Sequence, residues 1–217
     1  GHSGLTVRAV RDHTERRFSP TEMARKKSDD KRQRILQAAA KVFARKGYHG
    51  ARVSEIARRA DVADGTIYLY FRNKEDILVS LFDEVMIEHL RQGREGLAKL
   101  GGAPEKLRAI ARRHLGLLGG NRDLAVVFQV ELRQSTKFME RFTASWLHDY
   151  FALLAEIIEE GQAEGSLRAD VPLKIVSKSF FGALDEMVTS WILARKRYDL
   201  AKLAGPVVDL FLRGAAG

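Results

Sequence analysis

Residues 53–71 read Val53-Ser54-Glu55-Ile56-Ala57-Arg58-Arg59-Ala60-Asp61-Val62-Ala63-Asp64-Gly65-Thr66-Ile67-Tyr68-Leu69-Tyr70-Phe71. Two short helices are predicted there, over 53–60 and 64–70, joined by a tight turn. The second is split in character: Ile67 and Phe71 stand four apart and face inward, leaving Thr66, Tyr68, Leu69 and Tyr70 on the outer side. Exposed aromatics beside Gly65 suit a contact surface. Hydroxyls and rings reach phosphates and thymine methyls in a DNA major groove, and glycine lets the backbone come close. An aromatic cluster that only seals a helix junction fits the same pattern.

On the N-terminal side, Ile35, Ala38, Ala39, Val42 and Phe43 form one stripe of a helix expected to begin after Ser28, with Gly47 as a left-handed C-cap. On the C-terminal side Asn73 caps a helix that runs through Ile77, Leu78, Leu81, Phe82 and Val85 towards Leu97, breaking at Gly101-Gly102. A longer helix under two short ones is the layout of a helix-turn-helix domain, assigned to residues 28–76. In that frame Arg52, Val53, Ser54, Gly65, Thr66, Tyr68, Leu69 and Tyr70 are candidate DNA contacts. Lys74, at a helix start whose dipole attracts anions, is expected to clamp a phosphate.

Beyond it the pattern is helix after helix, with no period-two alternation of strands, so the fold class is all-α. A segment opens at Pro104 and closes at Gly119-Gly120-Asn121; others cover 123–134, 137–161, 172–196 and 200–213 of a second, helical domain over 77–217. Residues 1–27 start Gly1-His2 without Met and lack apolar periodicity; they are expected to be a flexible basic extension or tag remnant.

Hydrophobic residues make up 45% of the 217, enough for a packed core. No apolar run approaches the ~20 residues of a membrane-spanning helix, and no signal-peptide pattern is present. Zero cysteines exclude disulfides, Cys-ligated zinc and Cys nucleophiles, which suits a cytoplasmic protein with no membrane partner. The net charge of +9 is unevenly spread: +5 in residues 1–34, +3 in 35–78 and +1 in the rest. A basic N-terminal third on a balanced body points to a polyanion met by one part only.

The segments Gly47-Tyr48, Val53-Ser54-Glu55-Ile56-Ala57, 62–71 and Asn73-Lys74-Glu75-Asp76-Ile77-Leu78 together resemble the DNA-binding domain of the TetR family. The resemblance implies an all-helical homodimer that binds a palindromic double-stranded DNA operator. It also implies a C-terminal ligand-binding and dimerisation domain that releases DNA when a small molecule binds. Three positions depart from the family pattern: Arg52 replaces a frequent capping Thr, Asp61 a turn Gly, and Ala63 a Ser cap.

In the body, Leu173, Val176, Phe180, Leu184, Met187 and Trp191 form a stripe flanked by small Ser177, Ser179, Gly182 and Ala183. Such a face permits close helix packing, either across a dimer, where the resemblance places the last helix pair, or inside one subunit. Aromatics concentrate mid-body, with basic residues nearby. An apolar interior with a cationic rim suits an amphipathic anion. The expected ligand residues are Arg112, Arg113, His114, Phe128, Glu131, Arg133, Phe142, Trp146, Tyr150, Phe181 and Leu184. The stretches 62–82, 131–135, 185–191 and 196–200 are similar to the TetR-type FadR repressors of fatty-acid degradation, which implies a long-chain acyl-CoA as effector and no cofactor.

Two other readings are open. A regulator of a drug efflux pump would hold a cationic ligand through carboxylates such as Glu131, Asp185 or Glu186. A helical enzyme acting on acyl-CoA would need a nucleophile and base or a metal site. The chain has no His-Glu-x-x-His, no Gly-x-Ser-x-Gly and no Cys, so neither catalytic nor metal residues are assigned.

Overall fold

The computed structural model describes residues 19–131, 133, 140 and 146–215, and among these there are helices and turns but no strand. The order is α1 (Pro20–Gly50), α2 (Val53–Ala60), α3 (Asp64–Ile67), α4 (Lys74–Leu97), α5 (Ala103–Gly119) and α6 (Arg122–Val126), which widens into a π turn (Val127–Glu131). After the loop come α7 (His148–Ala163), α8 (Leu173–Leu193), a 3-10 turn (Leu200–Leu203) and α9 (Ala204–Ala215).

α1 begins well before the expected start after Ser28, so residues 20–27, read as flexible, are helical. The signal was present as Ser19-Pro20-Thr21-Glu22. The Ser19 N–H donates to the Glu22 carboxylate at 2.7 Å, the Glu22 N–H donates to the Ser19 hydroxyl at 3.2 Å, and proline takes the first helical position. At the other end Gly47 breaks the helical path with φ +71.

The N-terminal domain closes around the predicted stripe. Ile35, Ala39 and Phe43 of α1, Ile56 and Ala57 of α2, and Ile77 and Leu78 of α4 have no accessible surface. Burying each large aliphatic or aromatic side chain of that set contributes about 1.5–3 kcal/mol. α2 has the predicted bounds and ends on Asp61 in the left-handed conformation, φ 55. α3 stops at Ile67 instead of continuing to 70. Thr, Ile and aromatic residues are weak helix formers, and the turn at 68–70 delivers Phe71 into the core at 2% exposure.

α4 rises about 36 Å over its 24 residues and is common to both domains. Its first turns lie in the N-terminal core, while Met86 and His89 face the body. In the body α5 is central, packed by α7, α8, α9 and the 3-10 turn.

Of the stripe on α8, Val176, Phe180, Leu184 and Trp191 are buried inside their own subunit, as is neighbouring Val188, while Leu173 and Met187 are half-buried. Of the two arrangements that the sequence allowed, most of the stripe takes the one within a subunit, with large apolar side chains towards α5 and α9. The outer side of α8 and α9 instead exposes Ile175, Leu193 and Leu210, with space open around Gly182.

Candidate nucleic-acid interface and ligand cavity

The outer side of α3 and its following turn carries what the sequence placed there. Tyr68 is 59% exposed, Leu69 is 82% exposed, and Gly65 has nothing within 4 Å of where a Cβ would stand. Thr66 and Tyr70 are half-buried, and the Ser28 hydroxyl lies 3.5 Å from the Tyr70 hydroxyl. At the start of α2, Arg52 and Ser54 are exposed and Val53 is half-buried. Arg52 gives no side-chain cap; the Glu55 carboxylate, three residues on, accepts its N–H at 3.4 Å. Ala63 leaves α3 without a side-chain cap, a role Asp64 does not take over. A basic patch that sequence reading missed lies at the α1–α2 junction, where Lys41, Arg45, Lys46, Arg58 and Arg59 surround the single carboxylate of Glu55. Its signal was there in the +3 charge of residues 35–78.

Lys74 is not a free phosphate clamp. Its ammonium donates to the carbonyls of Tyr48 at 2.7 Å and Ala51 at 2.9 Å, with His49 at 3.4 Å, and sits 4.6 Å over the Tyr48 ring. An ammonium has three donors, and the turn after Gly47 takes them. α4 is thereby fastened to the loop that carries α2.

Glu131, expected among the ligand residues, does not reach the cavity. Its carboxylate, 3% exposed, accepts the Tyr48 N–H at 2.6 Å, and both oxygens lie 3.7 Å from a Cβ position on Gly47. Where α1 breaks, Tyr48 N–H has lost its helical acceptor, and a buried carboxylate supplies one. The π turn of the body thus grips the DNA-binding domain through the Tyr48 N–H bond to its last residue, beside the Arg32–Glu84 ion pair between α1 and α4.

The cavity itself lies between α4, α5, the π turn, Trp146 just before α7, and α8. It is lined by Met86, His89, His114, Leu117, Leu118, Phe128, Gln129, Arg133, Trp146, Phe181 and Asp185, and about 30 Å³ of it is free. Aromatic rings pack in a chain beside it, edge-on for Phe82 to Phe128 at 4.3 Å, Trp146 to Tyr150 at 6.0 Å and Tyr150 to Phe181 at 5.7 Å, and tilted for Phe128 to Trp146 at 6.4 Å. A wider groove of about 470 Å³ runs beside it between α1 and α4, sharing His89 and Leu117. Glu84 and Glu88 line that groove, which makes it a poor seat for phosphates.

Of the expected ligand residues, His114, Phe128, Arg133, Trp146 and Phe181 meet at the cavity. Tyr150 stands behind it, its hydroxyl 3.3 Å from His114 Nδ1. Leu184 is fully buried core and does not line it. Arg112 is exposed away from it, and Arg113 is tied to α4 through the His89 carbonyl at 3.0 Å and the Gln92 side chain at 3.3 Å. The cationic rim expected from the sequence therefore reduces, among the described residues, to Arg133. Phe142 lies outside the described residues. Sequence reading missed Met86, His89, Leu117, Leu118 and Gln129, which look like ordinary core or surface positions until the helices are assembled.

Polar groups at the cavity form one network. Asp185 accepts from Gln129 at 2.8 Å and from Arg133 at 2.7 and 2.8 Å, and Thr189 donates to Gln129 at 3.2 Å. Burial lowers the pKa of His114 to about 4. It does the same to His89, helped by the nearby Arg113 and His114 charges. Both rings are neutral at pH 7. Among the described residues no cluster of His, Cys, Asp and Glu has the makings of a metal site.

Residues 35–81 match the family model described as bacterial regulatory proteins, tetR family, and residues 82–214 match that of the YsiA-like protein, C-terminal region. A fatty acid metabolism regulator protein of Bacillus subtilis (strain 168) is 40% identical over 189 residues, covering 87% of this chain and 97% of that protein. The crystal structure of the transcriptional regulator FadR from Bacillus subtilis in complex with stearoyl-CoA superposes with a TM-score of 0.80 at 40% identity, over 84% of this chain and 98% of that one. The fatty acid degradation regulator FadR from Bacillus halodurans gives a TM-score of 0.79 at 40% identity and the same coverage. These relatives are transcriptional regulators and not enzymes. With a reading head on α2 and α3, a body built around an aromatic cavity, and both halves matched along their length, the chain belongs to the TetR family of bacterial DNA-binding transcriptional regulators.

Proposed function

We propose that the chain is a homodimeric repressor of fatty-acid degradation genes that binds a palindromic operator and leaves it when a long-chain acyl-CoA binds the body. The observation that carries the reading is the aromatic cavity with Arg133 at its polar side, in a chain 40% identical to a regulator crystallised with stearoyl-CoA. Apolar walls take an acyl chain, and a guanidinium takes a phosphate in exchange for its present partner Asp185. A cationic drug fits less well, because Asp185 is engaged by Gln129 and Arg133 and Glu131 by the Tyr48 N–H.

Exposed Ile175, Leu193 and Leu210 around open Gly182 support pairing of two subunits through α8 and α9. Two reading heads must then stand roughly 34 Å apart, one turn of DNA, or at a compatible multiple. Ligand releases DNA only if it binds a body whose heads are out of that register more tightly than one whose heads are in it. The closed cavity supplies the difference: an acyl chain needs far more than the 30 Å³ that is free, so Phe128 and its neighbours must move. Phe128 and Glu131 share one π turn, and α4 joins the cavity to the reading head through Lys74. Displacement at the ring therefore reaches the grip on Tyr48.

Fluorescence anisotropy of an operator selected by the protein, titrated with acyl-CoAs from eight to eighteen carbons, tests the reading. Release that strengthens with chain length is expected. Release by a cationic dye with none by lauroyl-CoA overturns it.

A further inference from the structure

His114 is the most deeply buried titratable group in the cavity wall, 7% exposed, and its Nε2 has no hydrogen-bond partner while Nδ1 faces the Tyr150 hydroxyl at 3.3 Å. A buried polar nitrogen without a partner costs about 1–3 kcal/mol, so its retention among Leu117, Leu118, Phe128 and Phe181 calls for a reason. The hydroxyl settles which proton is where. A phenol is the better donor and an imidazole nitrogen the better acceptor, so Tyr150 donates to Nδ1 and the single ring proton of the neutral histidine sits on Nε2. Burial holds the ring neutral, with a pKa near 4, and raises that of the Tyr150 phenol, so neither changes charge around pH 7. The result is a fixed, uncharged N–H donor in a wall shared with Leu117, Leu118, Phe128 and Phe181 and with His89, in a cavity that also holds the charged pair Arg133–Asp185.

We infer that His114, set by Tyr150, is the group that recognises the thioester carbonyl of the effector, donating its Nε2–H to that oxygen where hydrocarbon gives way to the polar head. This rests on the acyl-CoA reading above and deepens it. Along an acyl chain laid between apolar walls and Arg133, the thioester carbonyl is the first neutral acceptor, met where the hydrocarbon ends and before the two amides of the pantetheine arm. A neutral donor matches that oxygen without the desolvation that a buried charge would add. A tail with methylene in place of the carbonyl gives Nε2–H no acceptor. His114 is thus a specificity-determining residue, and Tyr150 a positioning residue that acts through it.

The ligand pair that tests this is palmitoyl-CoA and S-hexadecyl-CoA, a thioether identical except that CH₂ replaces C=O, titrated calorimetrically into the full chain. Wild-type protein is expected to bind the thioester about tenfold more tightly, one hydrogen bond to a buried donor. His114→Phe is expected to bind the two alike, and His114→Gln, which keeps an N–H, to recover part of the preference. Equal binding of both ligands by wild-type protein overturns the assignment with no variant needed. So does a tenfold preference that survives in His114→Phe. Should neither ligand bind wild-type protein at all, the acyl-CoA reading itself falls, and this inference with it.

Discussion

Removing the Glu131 carboxylate should loosen the joint between the two domains and with it the response to ligand. The carboxylate is 3% exposed and accepts the Tyr48 N–H at 2.6 Å, a charge-assisted bond worth about 1.5–3 kcal/mol. Glu131→Ala leaves that N–H buried beside a small void, and a loss of about 2–3 kcal/mol is expected. For a domain of this size that lowers Tm by about 5–10 °C. Glu131→Gln keeps an acceptor oxygen in the same place and also relieves the cost of a buried charge, so about 1 kcal/mol is expected. Stability comes from urea unfolding followed by circular dichroism. The functional readout is the ratio of operator Kd with and without a saturating acyl-CoA. If the Tyr48 contact carries the signal, that ratio falls about tenfold in Glu131→Ala, within the usual range of coupling energies. An alanine variant as stable as wild type, with an unchanged ratio, would refute both the energetic argument and the route through Tyr48.

Tyr68→Ala, at a side chain 59% exposed and clear of the core, should abolish operator binding while calorimetric affinity for acyl-CoA stays the same; a variant that still binds the operator removes Tyr68 from the reading head. Leu210→Glu places a carboxylate at a leucine 76% exposed on α9, and sedimentation should show monomers in place of dimers, whereas an unaltered dimer rules out this face. The pH dependence has a definite sign. The folded pKa of His114 is about 4, below the unfolded value of roughly 6.5, so between those two values the unfolded chain binds more protons. Stability from this group is full above about pH 6.5 and falls by about 3 kcal/mol as pH drops to 4. His114→Phe should therefore flatten the decline of the urea midpoint between pH 7 and pH 4.5, and parallel declines in variant and wild type would contradict it.

The N-terminal domain was legible because its information is local. The stripe from Ile35 to Phe43, the Asn73 cap and the short helix at 53–60 are set by residues a few positions apart, and the fold kept them. The capping box at Ser19 was equally local and was passed over because the residues after it are charged, not periodic. Lys74 and Glu131 show the opposite limit. The sequence says that one is a cation and the other an anion, but their partners lie 26 and 83 residues away. Only the packed chain reveals that both serve the same turn after Gly47. The cavity was half legible for the same reason. Rings announce themselves, and His114, Phe128, Arg133, Trp146 and Phe181 do meet, but Arg112 and Arg113 are neighbours in sequence that leave α5 in different directions. The α8 stripe carried a true periodicity and an ambiguous address, since a face built to pack closely packs as well on its own subunit as on a second one.

The near-absence of free space in the cavity sets a threshold for what the regulator can sense. An occupant must first part the rings from Phe82 to Phe181, and that outlay is the same for every chain length. Each methylene that then leaves water returns about 0.8 kcal/mol, close to a fourfold change in affinity. Short acyl groups do not recover the opening free energy and remain silent at concentrations where long ones act. A pre-formed pocket would show the same fourfold steps per methylene from a higher starting affinity, so that shorter acyl groups would register as well. A narrow one moves the whole series to weaker binding, so that, under the proposed function, shorter chains pass unanswered at concentrations where long ones act.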